Sequence, residues 1–425
     1  MHHTENRGHM GNEERFSRDA VLRARALLLA SEWPSLRERV GAYRVLAEVS
    51  PRAYLPKLTQ ALGEWAREQG DPEHRQSLYA EVVDVLRRLG AEVPDGARQL
   101  RFALRGYEHA LFTAGRRAEG RVVCEELAET EPYGRFAVVL AEEGRHAEAA
   151  ELYGRHLRSD STGGTDWARI EWAAELDAAG RHEEALRAFE HLVEDSRGRA
   201  AADRAPLASL VWKLNEYARM LRAVGRPAEE AAARREILAL LARLARDGEP
   251  VIWSDIRGTW STLFALSGRG AEPAATPESP QPPFGSHLQH GWSPDTLEAF
   301  FASVAALEEE AAALRESGDP AGAAVAHRRL TLRRALHWET TGRRSEETLG
   351  RALDEGVTLA RNLPGDDDAV ARALTDRAMY LVAAKRYAEA LADFTEAYAD
   401  LAGAHADVTE ADALRDQAAP IVTRT

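Results

Sequence analysis

Four histidines have spacings that could serve chemistry. His146 and His182 occupy the same place in two similar segments, GRHAEAAELYGRHLR and GRHEEALRAFEHLVE, which start 36 residues apart. Each follows a turn glycine at the predicted, solvent-exposed start of a helix, so a polar turn residue explains it better than a ligand or a base. His287 and His290 could bind a metal from one helix face, but they lie beside a proline-rich stretch and no third ligand is evident.

Other reactive residues also have simpler explanations. Cys124 is the single cysteine and occupies a position filled by Phe or Tyr in similar segments, so we expect a buried apolar residue. The acidic runs 308–310 and 366–368 fit a solvated helix face and a helix N-terminus. The loop GxxxxGK[ST] is absent, as are a GxGxxG motif after a strand and the GxSxG motif. The sequence predicts no catalytic residue, metal or cofactor, and therefore a non-enzymatic protein.

Composition narrows the class of protein further. The chain has 425 residues, a hydrophobic content of 44% and a formal charge of −14. The charge argues against general affinity for nucleic acid or an anionic membrane. There is no run of 18 apolar residues, and the N-terminal residues lack the apolar core of a signal peptide. We expect a cytoplasmic protein, and the abundance of Ala, Arg and Gly is typical of a GC-rich bacterium.

The repeated segment predicts a pair of helices joined by a glycine turn. Ala173 and Leu176 precede Gly180 by seven and four residues, whereas Ala185 and Phe189 follow it by five and nine. Helical spacing places each pair on one face, and Gly180 suits the end of the first helix. The pattern recurs around Gly115, Gly144, Gly225 and Lys385, and more weakly around Gly70 and Gly318.

These copies resemble the tetratricopeptide repeat (TPR) family, a helix-turn-helix unit of about 34 residues. The resemblance covers residues 40–245 and 295–405, and PRAYLPKLTQALGEWAREQG is similar to kinesin-light-chain-like arrays of actinobacteria. It implies an all-α solenoid wound as a right-handed superhelix. It also implies a concave groove that binds peptides or partner proteins.

Proline-rich sequence suggests where the array divides. AEPAATPESPQPPFGSH is too rich in proline for a helix and predicts a linker. We therefore expect five segments: a disordered N-terminus (1–13), an N-terminal array (14–268), a linker (269–292), a C-terminal array with a capping helix (293–418) and a tail (419–425).

The family's geometry also predicts which side chains face the groove. The first helix of each repeat should line it, with residues 13, 10, 9, 6 and 3 before the turn glycine pointing inward. Trp212, Asn215, Arg219 and Arg222 recur at spacings of three and four, which places them on one helix face. The predicted partner-binding residues are Phe102, Arg105, His109, Trp167, Trp212, Asn215, Arg219 and Arg222. Lys57, Gln60 and Arg67 are added from the first repeat, and packing between repeats is the alternative for each aromatic.

The predicted function is a scaffold or adaptor that holds a peptide or a protein surface in this groove. Two alternatives remain at this point. One is a peptide-responsive regulatory sensor, and the other is an enzyme of a biosynthetic cluster built on a helical solenoid.

Overall fold

The computed structural model describes residues 6–29, 34–89, 95–129, 135–159, 166–251, 256–283, 291–341 and 344–399. In these ranges the chain forms eighteen α-helices and no β-strand, which confirms the predicted all-α solenoid. The helices are α1 (Asn6–Leu29), α2 (Leu36–Val49), α3 (Pro51–Glu68), α4 (Pro72–Leu89), α5 (Gly96–Thr113), α6 (Arg117–Ala128), α7 (Arg135–Glu142), α8 (His146–Ser159), α9 (Asp166–Ala178), α10 (His182–Ala201), α11 (Leu207–Ala223), α12 (Pro227–Asp247), α13 (Ile256–Gly268), α14 (Pro294–Glu316), α15 (Pro320–Thr341), α16 (Arg344–Arg361), α17 (Asp367–Ala383) and α18 (Tyr387–Ala397).

The turns between paired helices follow one design. At Gly180 the backbone is left-handed (φ 76°), and the N–H of Arg181 donates to the carbonyl of Leu176 at 2.9 Å. This hydrogen bond closes the end of α9. The Arg181 guanidinium then bonds both oxygens of Glu184, at 2.8 and 2.7 Å. The same four-residue arrangement occurs at Leu111, Gly115, Arg116 and Glu119; at Leu140, Gly144, Arg145 and Glu148; at Leu221, Gly225, Arg226 and Glu229; and at Leu381, Lys385, Arg386 and Glu389.

Contacts divide the chain into two compact units. Unit 1 comprises Met1–Phe136 and Ser293–Asp295. Within it α1 to α6 pack in chain order, each helix against the next. Its hydrophobic core includes Leu62 of α3, Val83 of α4 and Leu111 of α5. Helix α1 begins at Asn6, so part of the stretch 1–13 that was predicted to be disordered is helical.

Unit 2 comprises Ala137–Trp292 and Thr296–Thr425. Helices α8 to α12 pack in chain order, and so do α15 to α18. The order changes after α12, because α12 packs against α18 while α13 contacts α11, α15 and α17. A single hydrophobic core therefore joins both runs of helices, with Trp260 stacked on Phe264 (ring centroids 5.3 Å apart) and edge-on to Tyr380.

Residues 269–283, which belong to the predicted linker, lie against helices of unit 2. Arg269 donates to the carbonyl of Ala174 at 2.9 Å, and the backbone N–H of Gln281 donates to the carbonyl of Glu142 at 2.9 Å. The Glu272 carboxylate accepts from Arg333 at 2.7 Å. The contacts place the main boundary between the two units after Phe136, whereas the sequence predicted a boundary at the linker 269–292. That 14–268 and 293–418 fold separately stays a prediction. Residues 400–418 of the second array and the predicted tail, 419–425, lie outside the described residues.

Candidate functional site

The predicted site residues fall in different units. Phe102, Arg105 and His109 lie on α5 in unit 1, whereas Trp167 lies on α9 and the other four lie on α11 in unit 2.

In unit 1, residues of helices α3, α4 and α5 line an open cavity of about 690 Å³. We call this cavity the α3–α5 groove. Its floor is apolar and consists of buried side chains from α4 and α5, namely Tyr79, Val82, Leu86 and Ala103. Its rim carries Gln60, Arg67, Arg98 and Phe102. The three residues predicted from two different repeats, Gln60, Arg67 and Phe102, thus border the same space.

Phe102 is the main apolar group at the rim. Its side chain is 63% exposed, although the floor beneath it is buried. An exposed aromatic ring beside an apolar depression is typical of a binding surface, because burying such a ring contributes a large area at low entropic cost.

Two glycines give the groove its width and its floor. An added Cβ at Gly63 on α3 meets no atom within 4 Å, so α3 leaves open space there. On α5, an added Cβ at Gly106 collides with the ring of Tyr79, so α4 and α5 approach closely at this point. The absence of a side chain at Gly106 therefore holds the Tyr79 ring in the floor.

The rim is basic. Arg67 is exposed and forms no ion pair or hydrogen bond with the described residues, and Arg98 pairs only with the exposed Asp95 at 2.9 Å. No Asp or Glu is among the described residues that line the groove. Glu64 lies nearby but is engaged by Gln60 (3.0 Å) and Arg39 (3.3 Å). The groove therefore presents uncompensated positive charge.

Arg105 and His109 are exposed on α5 but do not line the groove. Partial desolvation of the ring, together with the charges of Arg135 and Arg75, lowers the pKa of His109. This side chain is therefore mostly neutral at pH 7.

The predicted strip on α11 is only partly correct. Trp212 is fully buried, and its Nε1–H donates to the carbonyl of Met379 at 3.0 Å. The prediction that Trp212 faces outward is wrong, because α17 packs on that side of α11. Trp167 is partly buried and packs against the core of unit 2.

The other three residues on α11 line a second cavity, of about 420 Å³, between α11, α12, α17 and α18. Asn215 accepts a hydrogen bond from the Tyr398 hydroxyl at 3.2 Å. Arg219 bonds the buried Glu216 at 2.7 Å, and Arg222 pairs with Asp368 at 3.1 Å. We call this space the polar cavity. The C-terminal helices enclose it on the side that the sequence predicted to be an open groove.

The histidines and the cysteine that were considered for a chemical role have structural surroundings in the described parts of the chain. His146 and His182 bond Glu175 and Asp177 through Nδ1 at 2.7 Å each, and Cys124 is buried. In the described parts of the chain, no three His, Cys, Asp or Glu side chains are grouped to hold a metal ion. His287 and His290 lie outside the described residues. None of the described helices is long and apolar enough to cross a membrane.

Comparisons with known proteins give little beyond this geometry. No family model matches the sequence, and no curated protein matches it. One similar solved structure is "Structure of Naa15/Naa10 bound to HypK-THB", with a TM-score of 0.29 and 11% identity over 91% of this chain and 63% of that chain. Another is "Circular tandem repeat protein with novel repeat topology and enhanced subunit contact surfaces", with a TM-score of 0.17 and 19% identity over 95% of this chain and 98% of that chain. The present chain thus spans less than two thirds of the first of these.

Proposed function

We propose that the protein is a non-enzymatic scaffold of the tetratricopeptide type that binds a segment of a partner protein in the α3–α5 groove. The observation that carries this proposal is the placement of Phe102, Gln60 and Arg67 around one apolar floor. These residues come from α3 and α5, the first helices of two consecutive hairpins, as the resemblance to the family implies.

The groove favours a partner segment with a large apolar side chain. Such a side chain can pack between Phe102 and the floor residues Tyr79 and Val82. Interfaces gain most of their affinity from a few aromatic or arginine anchors that become desolvated on binding. Phe102, Arg67 and Arg98 are the residues of these types that are exposed at the rim, and Arg98 is already paired with Asp95.

The charge of the rim selects among such segments. Arg67 has no partner among the described residues, so a carboxylate of the bound segment can pair with it without displacing an existing ion pair. We therefore assign the groove to a segment that combines a large apolar residue with neighbouring acidic residues. The side-chain carbonyl of Gln60 can accept a hydrogen bond from the main chain of an extended segment.

A displayed library of random peptides tests the proposal. Selection on the full chain should enrich peptides with one large apolar residue next to Asp or Glu. Phe102→Ala should weaken their binding at least tenfold, whereas Val122→Ala removes an equally exposed apolar side chain of unit 1 that is not among the groove residues and should have no effect. Arg67→Glu should shift the selected sequences from acidic to basic. Peptides that bind Phe102→Ala as tightly as the wild type would place the binding surface elsewhere.

A further inference from the structure

Unit 2 contains a third cavity, of about 170 Å³, between α13, α15, α16 and α17. Its wall is mainly small and apolar, with Ala324, Ala352, Ala373 and Gly356 among the lining residues. We call it the alanine-lined cavity. An apolar cavity of about 150 Å³ in another protein is large enough for benzene, so this one can admit a ring or a short aliphatic chain.

The alanine-lined cavity and the polar cavity share three lining residues, Arg328, Arg372 and Asp376. Arg328 is fixed, because its Nε donates to Asp376 at 2.6 Å and its Nη2 donates to the Ser267 hydroxyl at 2.9 Å. Arg372, in contrast, is exposed and forms no ion pair or hydrogen bond with any described residue. A positive charge without a partner thus lies where an apolar space adjoins a polar one.

The polar cavity adds further donors that have no acceptor. The Nε–H of Arg234 is buried and has no hydrogen-bond partner in the described structure. The guanidinium of Arg234 also stacks on the Tyr398 ring, with 4.5 Å to the ring centroid. Asn215 uses its carbonyl oxygen for the Tyr398 hydroxyl, which leaves its amide N–H groups available. Buried donors of this kind are normally satisfied, so an acceptor-bearing ligand fits the cavity.

We propose that unit 2 binds a small amphipathic organic anion, with its carboxylate or phosphate at Arg372 and its apolar part in the alanine-lined cavity. Five arginines line the polar cavity, and four of them are paired with carboxylates: Arg219 with Glu216, Arg222 with Asp368, Arg234 with Glu230 and Arg328 with Asp376. Arg372 is therefore the cation that can receive the anionic group of a ligand without displacing an ion pair of the described residues. The site is separate from the α3–α5 groove and does not depend on the function proposed for that groove.

Gly356 offers a direct way to block the apolar half of the site. An added Cβ there meets the His327 ring at 3.7 Å, an ordinary contact distance, and no other atom within 4 Å. Gly356→Leu should therefore fill the alanine-lined cavity without a backbone clash. Gly198→Leu on α10 is the matched control, because an added Cβ at Gly198 also meets nothing within 4 Å and this residue lines neither cavity.

The charge at Arg372 can be tested in the same way. Arg372→Gln keeps a polar, exposed side chain and removes the positive charge. Arg187→Gln, on the exposed face of α10, is its control. Melting temperatures of all four variants establish that they are folded before any binding is compared.

The experiment titrates the full chain with hexanoate, benzoate and hexyl phosphate, and with acetate and hexan-1-ol as controls, by calorimetry and ligand-observed NMR. We expect saturable binding of at least one amphipathic anion, and at least tenfold weaker binding of acetate and hexan-1-ol. Hexanoate against hexyl phosphate shows which anionic group is preferred. Arg372→Gln and Gly356→Leu should each reduce affinity at least tenfold, and the two controls should not.

Two results would overturn the proposal. One is a lack of saturable binding for all three amphipathic anions. The other is binding that is unchanged in both Arg372→Gln and Gly356→Leu, since this would place the ligand outside the two cavities.

Discussion

The indole Nε1–H of Trp212 on α11 donates to the backbone carbonyl of Met379 on α17, 3.0 Å away. These residues are separated by 167 positions in the sequence, and both are buried in the core of unit 2. The bond shows that the C-terminal hairpin packs directly on the middle of the array. It also explains why α11 has no open groove on this side.

This packing predicts that Trp212 contributes to stability. Trp212→Ala should lower the free energy of unfolding by about 3–5 kcal/mol, because it leaves a large cavity and removes a buried hydrogen bond. Trp212→Phe should lower it less. Chemical denaturation measures both values, with Trp167→Phe as a partly buried control. A loss below about 1 kcal/mol in Trp212→Ala would show that α17 does not cover α11 in solution.

The turn at Lys385 predicts a stabilising substitution. Lys385 has φ 60°, a left-handed conformation that glycine adopts in the equivalent turns, such as Gly225 with φ 72°. A side chain in this conformation costs about 1–2 kcal/mol, whereas glycine loses more entropy on folding. Lys385→Gly should therefore raise the stability by roughly 0.5–1 kcal/mol, and Gly225→Ala should lower it. Thermal unfolding measures both changes. A Lys385→Gly variant that is less stable than the wild type, or a Gly225→Ala variant that is more stable, would mean that these turns do not share one geometry.

A buried ion pair predicts how unit 2 responds to acid. Lys213 is buried, and its ammonium donates to Asp166 at 2.6 Å and to the Ser196 hydroxyl at 2.9 Å. Burial opposes ionisation of Asp166, but the charge of Lys213 and hydrogen bonds from Lys213 and Arg199 outweigh it, so the pKa of Asp166 is lowered. Its contribution to stability is therefore complete above the pKa of an ordinary aspartate, about 4, and is lost as the pH falls through the lower folded-state pKa.

Asp166→Asn tests this contribution. It should lower the free energy of unfolding at pH 7 by about 2–3 kcal/mol, since it leaves the buried ammonium with only neutral hydrogen-bond partners. The difference from the wild type should shrink as the pH falls below about 4. Asp195→Asn is the control, because Asp195 is exposed and its pair with Arg169 should contribute little. A difference that grows in acid would contradict the assigned direction of the pKa shift.

Limited proteolysis can distinguish the contact-based division of the chain from the division predicted from its sequence. The contacts of residues 269–283 with helices of unit 2 predict that a nonspecific protease cuts this segment no earlier than other exposed turns. Early cleavage within it, followed by release of two stable helical fragments, would instead support the arrays 14–268 and 293–418. Mass spectrometry of the first products distinguishes these results.

Local features of the fold could be predicted from the sequence because they depend on local chemistry. The turn glycine at 180 and the small residue Ala185 follow from helix geometry, and Ala185 is fully buried. The Arg181–Glu184 pair was missed, although its arginine–glutamate spacing recurs after four of the other turns. The recurring Arg-x-x-Glu spacing could therefore have predicted these ion pairs from the sequence.

Packing between distant helices could not be predicted in the same way. The repeat rule assigns each helix to its sequence neighbours, so it placed Trp212 outward. A clue was present in α11, LASLVWKLNEYARMLRA, which is apolar on most of its surface and is therefore expected to be buried on several sides. The floor of the α3–α5 groove was missed for a related reason, since Tyr79 and Val82 come from α4 and the rule considered only first helices.

Affinity for a peptide selected on the full chain, measured for Gly63→Leu and Gly41→Leu, tests the central claim most directly. Both glycines lie in helices of unit 1, and an added Cβ meets nothing within 4 Å at either one, but only Gly63 lines the α3–α5 groove. Leucine at 63 should fill the groove and weaken the peptide at least tenfold without lowering the melting temperature, because leucine favours helix over glycine. Leucine at 41 should leave the affinity unchanged. Equal, wild-type affinity in both variants would contradict the assignment of partner binding to this groove.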